Sequence, residues 1–216
     1  MKHYRSLHQC VLAGSLSVGL VLAPLSVAMA YENALFSLKN RWEHSTTQLA
    51  ETQRREALKS LTDEAKLLAE QHPDEADVLI WQGIVLASYA REQSGLGALG
   101  SAGDARDVLE RALELDPEGG NGSAYVTLGA LYDRAPGWPL GFGNDETAES
   151  MFQRALEIRP DGIDANYYYA TYLEEAGERQ AARRHAERAA NGNARDSRQA
   201  SDEALRQQAQ TLQRRL

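Results

Sequence analysis

Tyr125-Val126-Thr127-Leu128-Gly129-Ala130-Leu131-Tyr132, followed by Ala148, Phe152, Ala155 and Pro160, is the stretch whose reading decides the fold, because its positions recur. Aligned on Pro117 and Pro160, the residues Ala105, Leu109, Ala112 and Pro117 match Ala148, Phe152, Ala155 and Pro160, and Ala182, Ala186 and Ala189 continue the series without a proline. The preceding segments match as well: Gly83 and Leu86, then Tyr125, Leu128, Gly129 and Tyr132, then Tyr169, Ala170 and Leu173. Apolar residues at these spacings read as helices. A fixed internal period means units that cannot bury their apolar faces alone and therefore stack. The small residues Gly129 and Ala148 fall where the two helices of a unit cross, and a larger side chain there would hold the backbones apart.

These positions resemble the tetratricopeptide repeat, in which a bulky residue, Leu-Gly and Tyr lie on the first helix and Ala, an aromatic and Ala on the second. The resemblance implies an all-α fold, a right-handed α-solenoid of three to four helical hairpins. The repeats span residues 73–190. Residues 31–72 read as a degenerate N-terminal hairpin with apolar stripes at Leu35, Leu38, Trp42, Thr46 and Leu49, and at Leu58, Leu61, Ala65, Leu68 and Ala69, broken near Glu51 to Arg54 and ended by Pro73. Residues 191–216, rich in Arg, Gln and Ala, read as the polar capping helix that such an array needs.

Two units are longer than the third. Gly83 to Ala105 spans 22 residues and Gly129 to Ala148 spans 19, against 12 from Ala170 to Ala182. Insertions at 92–103 and 135–144 therefore lie between paired helices, and equivalent turns of a solenoid share an edge, so the two are expected to form one surface. The second, Ala135-Pro136-Gly137-Trp138-Pro139-Leu140-Gly141-Phe142-Gly143, carries two prolines and two large aromatics, which argues for an ordered loop.

The N-terminus is different in kind. Lys2 and Arg5 precede an apolar run from Val11 to Val27 and the small-x-small site Ala28-Met29-Ala30, the pattern of a secretory signal peptide over residues 1–30 that leaves Tyr31 first. Losing Lys2 and Arg5 takes the formal net charge from −8 to about −10. An acidic domain is a poor partner for nucleic acid. Cys10, the one cysteine, departs with the leader and lacks the small residues a lipid-attachment site requires, so the mature chain has no disulfide, thiol nucleophile or lipid anchor. A bacterial periplasm is the expected compartment.

Nothing in the chain reads as catalytic, cofactor-binding or metal-binding. Gly95-Leu96-Gly97-Ala98-Leu99-Gly100 fits the dinucleotide-binding spacing, but no strand precedes it, and a flexible or cavity-lining loop is the expectation. His44, His72 and His185 are scattered, and no nucleophile elbow is present. Asp145 and Glu146 follow Asn144 at a helix start, where carboxylates suit the dipole. Asn121-Gly122-Ser123 reads as a turn before a helix.

Contact chemistry is more legible. The first helices of the units would line a concave groove with Asp77, Ile80 and Ile84, then Ser123, Val126 and Ala130, then Asp164, Tyr167, Thr171 and Glu174, a mixed apolar and acidic face suited to an apolar or basic partner. In the run Tyr167-Tyr168-Tyr169 with Tyr172, either Tyr167 alone faces the groove while the others pack, or the hydroxyls line an amphipathic pocket. Trp138 and Phe142 either fold back over the repeat edge or contact a ligand or partner.

Arg134-Ala135-Pro136-Gly137-Trp138-Pro139 with Gly141-Phe142-Gly143, then Ala148, Ala155-Leu156, Pro160-Asp161-Gly162, Asn166-Tyr167 and Gly177, is similar to the T-component family of TRAP transporters, TatT. That resemblance implies a periplasmic helical-repeat protein that partners a substrate-binding subunit and, in some members, forms a homo-oligomer around an apolar pore. The expected contact residues are Pro136, Trp138, Pro139 and Phe142 on the loop and Asn166, Tyr167 and Thr171 on the last unit's first helix. The function expected is protein-protein interaction without catalysis, as an accessory of a TRAP-type system; the alternative is a periplasmic carrier of small apolar ligands.

Overall fold

The computed structural model describes residues 23–216, with side chains from Tyr31 onward. Cys10 and most of the leader expected over residues 1–30 lie outside the described residues. Among the described residues the chain is helical throughout its ordered elements: α1 (Ala23–Gln48), α2 (Glu51–Gln71), α3 (Ala76–Arg91), α4 (Gly95–Leu115), α5 (Ser123–Arg134), α6 (Asp145–Ile158), α7 (Ile163–Glu175), α8 (Arg179–Asn191), a 3₁₀ turn at Asp196–Arg198 and α9 (Gln199–Arg215). The fold is an all-α stack of tetratricopeptide-like hairpins.

The first hairpin breaks at Leu49 and Ala50, slightly before the expected Glu51 to Arg54. Chemistry in the last turns of α1 accounts for this. Ser45, Thr46 and Thr47 turn their hydroxyls onto the carbonyls of Arg41, Trp42 and Glu43, a back-bonding that weakens a helix from within. Pro73 then closes α2, where the His72 amide bonds back to the Leu68 and Ala69 carbonyls.

Hairpin partners pack most extensively, α3 on α4, α5 on α6 and α7 on α8, while successive first helices α1, α3, α5 and α7 also touch one another. Glycine sets the crossing distance. A Cβ on Gly83 would lie 2.4 Å from Leu109 Cγ, and one on Gly129 would lie 2.6 Å from Phe152 Cε1. Only a residue without a side chain lets α3 and α5 approach their partners this closely. Ala105, Ala148 and Ala182 are fully buried at the equivalent place on the second helices, and Leu109 and Phe152 fill the core beside them.

The two insertions take different forms. Gly95 to Gly100, read as a flexible or cavity-lining loop, is instead the start of α4, which begins ten residues before Ala105, whereas α6 and α8 begin only three before Ala148 and Ala182. Only Glu92 to Ser94 remain as connection. Glycine weakens a helix by about 1 kcal/mol relative to alanine, which is why the sequence reads otherwise; here Ala102 docks on the core and offsets that weakness. The second insertion is a true loop, tied by the Gly143 amide to the Pro136 carbonyl (2.9 Å), the Gly141 amide to Gly137 (3.2 Å) and the Asn144 amide to Tyr132 (3.0 Å). Its Trp138-Pro139 peptide is cis. Gly143 cannot be replaced without shifting the loop, because a Cβ there would stand 1.9 Å from the Ala135 carbonyl oxygen.

The C-terminal helix does more than cap. It packs on α7 and α8, as the next first helix would, and also reaches α1, so the two ends of the stack meet. The Ser201 amide and hydroxyl both donate to Glu43 Oε1 at 2.9 and 3.1 Å. Ala209 and Leu212 bury the apolar stripe of α9, and Leu212 clusters with Ala170 and Ala186.

Candidate interaction surface

The seven residues expected to make contacts separate into an exposed group and a covered one. Pro136, Trp138 and Pro139 are exposed at the tip of the 135–144 loop. Trp138 is 90% exposed and Leu140 beside it 74% exposed. Phe142 behaves oppositely. Its ring meets Tyr132 edge-on at 5.5 Å and carries the Arg106 guanidinium 4.6 Å above it, so it anchors the loop to α5 and α4. The Tyr132 hydroxyl donates to Glu110 Oε1 at 2.6 Å, and burial together with that carboxylate pushes its pKa up to about 12. The anchor is therefore an uncharged, hydrogen-bonded phenol with no nucleophilic character near neutral pH.

The extension of α4 adjoins this loop. Leu99 Cδ1 lies 3.1 Å from where a Cβ on Gly141 would stand, and Leu96, three residues earlier on the same helix, is 88% exposed. Leu96, Trp138 and Leu140 are thus three large apolar side chains exposed on two adjoining insertions. The edge is bordered by charge: Asp145 and Glu146 are exposed at the start of α6, and Arg134 reaches Glu175 at the end of α7 at 3.6 Å. Leu96 and Leu140 escaped the sequence reading. The only signal for them was an apolar residue inside each insertion, where solvent would favour a polar one.

Of the three residues expected on α7, Asn166 and Thr171 are buried and Tyr167 is half-buried. Asn166 is fully buried; its amide donates to the Pro160 and Gly162 carbonyls at 2.7 and 2.9 Å, and its Oδ1 lies 2.8 Å from His185 Nδ1. It satisfies the turn before α7, where unpaired carbonyls would be costly. Because both Asn166 amide hydrogens are committed, His185 donates through Nδ1. Burial, with Arg188 and Arg184 adding to it, lowers the pKa of that imidazole. Thr171 is buried with its hydroxyl on the Tyr168 carbonyl at 2.8 Å. Tyr167 is half-buried beneath α9 and donates to Gln208 Oε1 at 2.9 Å. Tyr169 and Tyr172 spend their hydroxyls on Glu149 and on the Asp145 carbonyl, so the tyrosines stitch α6, α7 and α9 together and do not form one pocket of hydroxyls.

Part of the expected groove is covered in the same way, while Asp77 is exposed and Ala130, Tyr167 and Glu174 are half-buried. Ile80, Ile84, Ser123, Val126, Asp164 and Thr171 are all buried. Asp164 accepts from Arg195 Nη2 at 2.9 Å and from Arg159, and Arg195 also grips Asp202 through Nε at 2.8 Å and Nη2 at 2.6 Å. Burial disfavours the Asp164 charge, but Arg195 and Arg159 outweigh it and hold the carboxyl well below the usual carboxylate range. A depression between α7 and α9, about 390 Å³, is lined by Tyr167, Gln208, Leu212 and Arg215 among others. Among the described residues no group of three or more His, Cys, Asp or Glu is placed to hold a metal, and no helix is long and apolar enough to cross a membrane.

A hairpin stack closed on its inner side by its own C-terminus, with an ordered apolar edge projecting from one set of turns, defines a tetratricopeptide-like scaffold. The sequence profile of the TRAP transporter T-component family matches residues 29–215, and the chain belongs to that family. Two solved structures of MamA are similar to it, one at 18% identity and TM-score 0.46 over 73% of this chain and 85% of that one, the other at 16% and 0.46 over 84% and 88%. No curated protein matches the chain.

Proposed function

We propose that the protein is an exported, non-catalytic accessory of a TRAP-type transport system, which acts by binding the extracytoplasmic substrate-binding subunit through the edge formed by Leu96, Pro136, Trp138, Pro139 and Leu140. Family membership supports the transport setting. The observation that carries the contact site is the near-complete exposure of Trp138 on a loop whose neighbours Phe142, Gly141 and Gly143 are locked in place. A large aromatic held in solvent by a rigid frame has no folding role, and tryptophan is the residue type that most often anchors interfaces.

The acidic border favours a different protein over a second copy. A second copy would bring the same exposed Asp145 and Glu146 to the contact, whereas a partner with basic residues around an apolar pocket meets them with opposite charge. The test is co-purification of the tagged chain with a TRAP-type substrate-binding subunit from the same source, followed by titration. Trp138→Ala with Leu140→Ala is expected to weaken binding at least about tenfold. A folded double variant that binds as tightly as the parent contradicts the proposed edge, and a chain that purifies with a bound apolar small molecule in place of a protein favours the carrier reading.

A further inference from the structure

Charge is unevenly divided along the chain. Residues 31–178 hold 27 acidic and 12 basic side chains, a formal −15, whereas residues 179–216 hold nine arginines, no lysine and four acidic residues, a formal +5. A sign reversal of this kind within one chain marks a surface suited to an anionic partner. Much of the positive excess stands on α8. Its exposed side chains are Arg179, Arg183, Arg184 and Arg188 with Glu187 and two amides, and no apolar one is among them. Ala182, Ala186 and Ala189 carry the opposite face into the core.

These arginines are unpaired as well as exposed. Other arginines of the same region are consumed by carboxylates: Arg195 by Asp164 and Asp202, Arg206 by Glu203 and Arg215 by Glu174. Arg183, Arg184 and Arg188 make no ion pair among the described residues, and Arg179 commits only Nη2, to the Arg215 and Leu216 carbonyls. Arg179 with Arg183 and Arg184 with Arg188 are like charges four residues apart, which destabilise a helix. The unrelieved field reaches His185, whose pKa burial lowers and Arg188 and Arg184 lower further. Packing does not require these charges, since α8 meets α7 and α9 through its alanine side.

We infer that the outer face of α8 docks on the phosphate headgroups of an anionic lipid surface. The lack of an exposed apolar side chain on α8 decides between occupants. A protein contact is built around an apolar core, whereas a headgroup layer is met by charge and hydrogen bonds alone. Guanidinium forks match phosphate oxygens in pairs, which suits a face furnished with arginine and without lysine. Four arginines against Glu187 leave three net positive charges on a helix about 20 Å long. At about fivefold for each basic residue held near an anionic surface, they favour such a surface over a neutral one by about a hundredfold. The acidic remainder of the chain is repelled, so the same charge division turns α8 toward the lipid. The inference does not depend on the Trp138 contact or on the identity of the transport partner.

Co-sedimentation of the purified protein with vesicles of phosphatidylcholine alone, and of equal parts phosphatidylcholine and phosphatidylglycerol, tests it. The parent is expected to partition onto the anionic vesicles about a hundredfold more strongly than onto the neutral ones at about 0.01 M salt, and less so at about 0.15 M, where the screening length is shorter. Arg184→Glu with Arg188→Glu should weaken the anionic binding at least about tenfold. Arg55→Glu with Lys59→Glu, on the exposed face of α2, changes the net charge equally and should leave most of the binding in place. Circular dichroism establishes that each variant keeps its helices; if the α8 reversal does not fold, Arg184→Gln with Arg188→Gln takes its place. Equal binding of the parent to both vesicles, no loss in the folded α8 variant, or the same loss in the α2 variant would each overturn the inference. Lipid-free assembly of the parent that the α8 reversal abolishes would overturn it in favour of a second copy's acidic surface.

Discussion

Asp164→Asn is the perturbation that most sharply tests how the stack is closed. The carboxylate is buried on α7 and ties Arg159, which follows α6, to Arg195, which precedes α9. Asparagine keeps the shape and removes the charge. Arg195 retains Asp202, but Arg159 loses its one ion pair among the described residues, with its Nε and Nη1 already buried and without partners. Removing one partner of a buried pair costs about 3–5 kcal/mol, and because Arg195 stays paired the lower end, about 3 kcal/mol, is expected. At about 2–4 °C per kcal/mol for a domain of this size, the midpoint should fall by about 6–12 °C. Since the folded pKa of Asp164 lies below its unfolded value, the contribution is present above the unfolded value, about 4, and is lost as pH falls through the folded one. Thermal unfolding followed by circular dichroism at neutral pH and near pH 3 measures both effects. A loss under about 1 kcal/mol, or a gap between parent and variant that does not narrow in acid, would refute the reasoning.

Alanine at Gly100, on the open face of α4, should stabilise by about 0.5–1 kcal/mol in chemical denaturation, whereas alanine at Gly129 should destabilise by about 1–3 kcal/mol because its Cβ meets the Phe152 ring. His185 has a lowered folded pKa, so its contribution is complete above the unfolded value near 6.5 and declines as pH drops toward the folded one; His185→Gln should flatten the stability profile between about pH 7.5 and 5.5. Phe142→Ala should cost about 3 kcal/mol of stability through loss of the Tyr132 and Arg106 contacts, while Trp138→Ala should stay within about 0.5 kcal/mol, a contrast that differential scanning calorimetry resolves.

The repeat was legible because side-chain size at a crossing point is written directly in the sequence: glycine opposite Leu109 and Phe152 admits few alternatives. The extension of α4 was not, since its glycines argue for a loop and only the docking of Ala102 on the core and the approach of Leu99 to Gly141 argue otherwise. Trp138 and Phe142 stand four residues apart in one loop and look alike as sequence. Their fates differ because Tyr132 and Arg106, on two other helices, offer a seat to one ring only. Asn166 and Thr171 read as groove residues because they are polar, yet their polar atoms serve local carbonyls. The closure of α9 onto α1 rests on contacts such as Ser201 with Glu43, 158 residues apart, which periodicity does not register.

The central claim is that the Trp138 edge binds the transport partner, and isothermal titration of the purified substrate-binding subunit into the parent chain and into Trp138→Ala tests it most directly. The account predicts saturable binding by the parent and an affinity at least about tenfold weaker in a variant of unchanged stability. Binding that is absent in both, or equal in both, would contradict it.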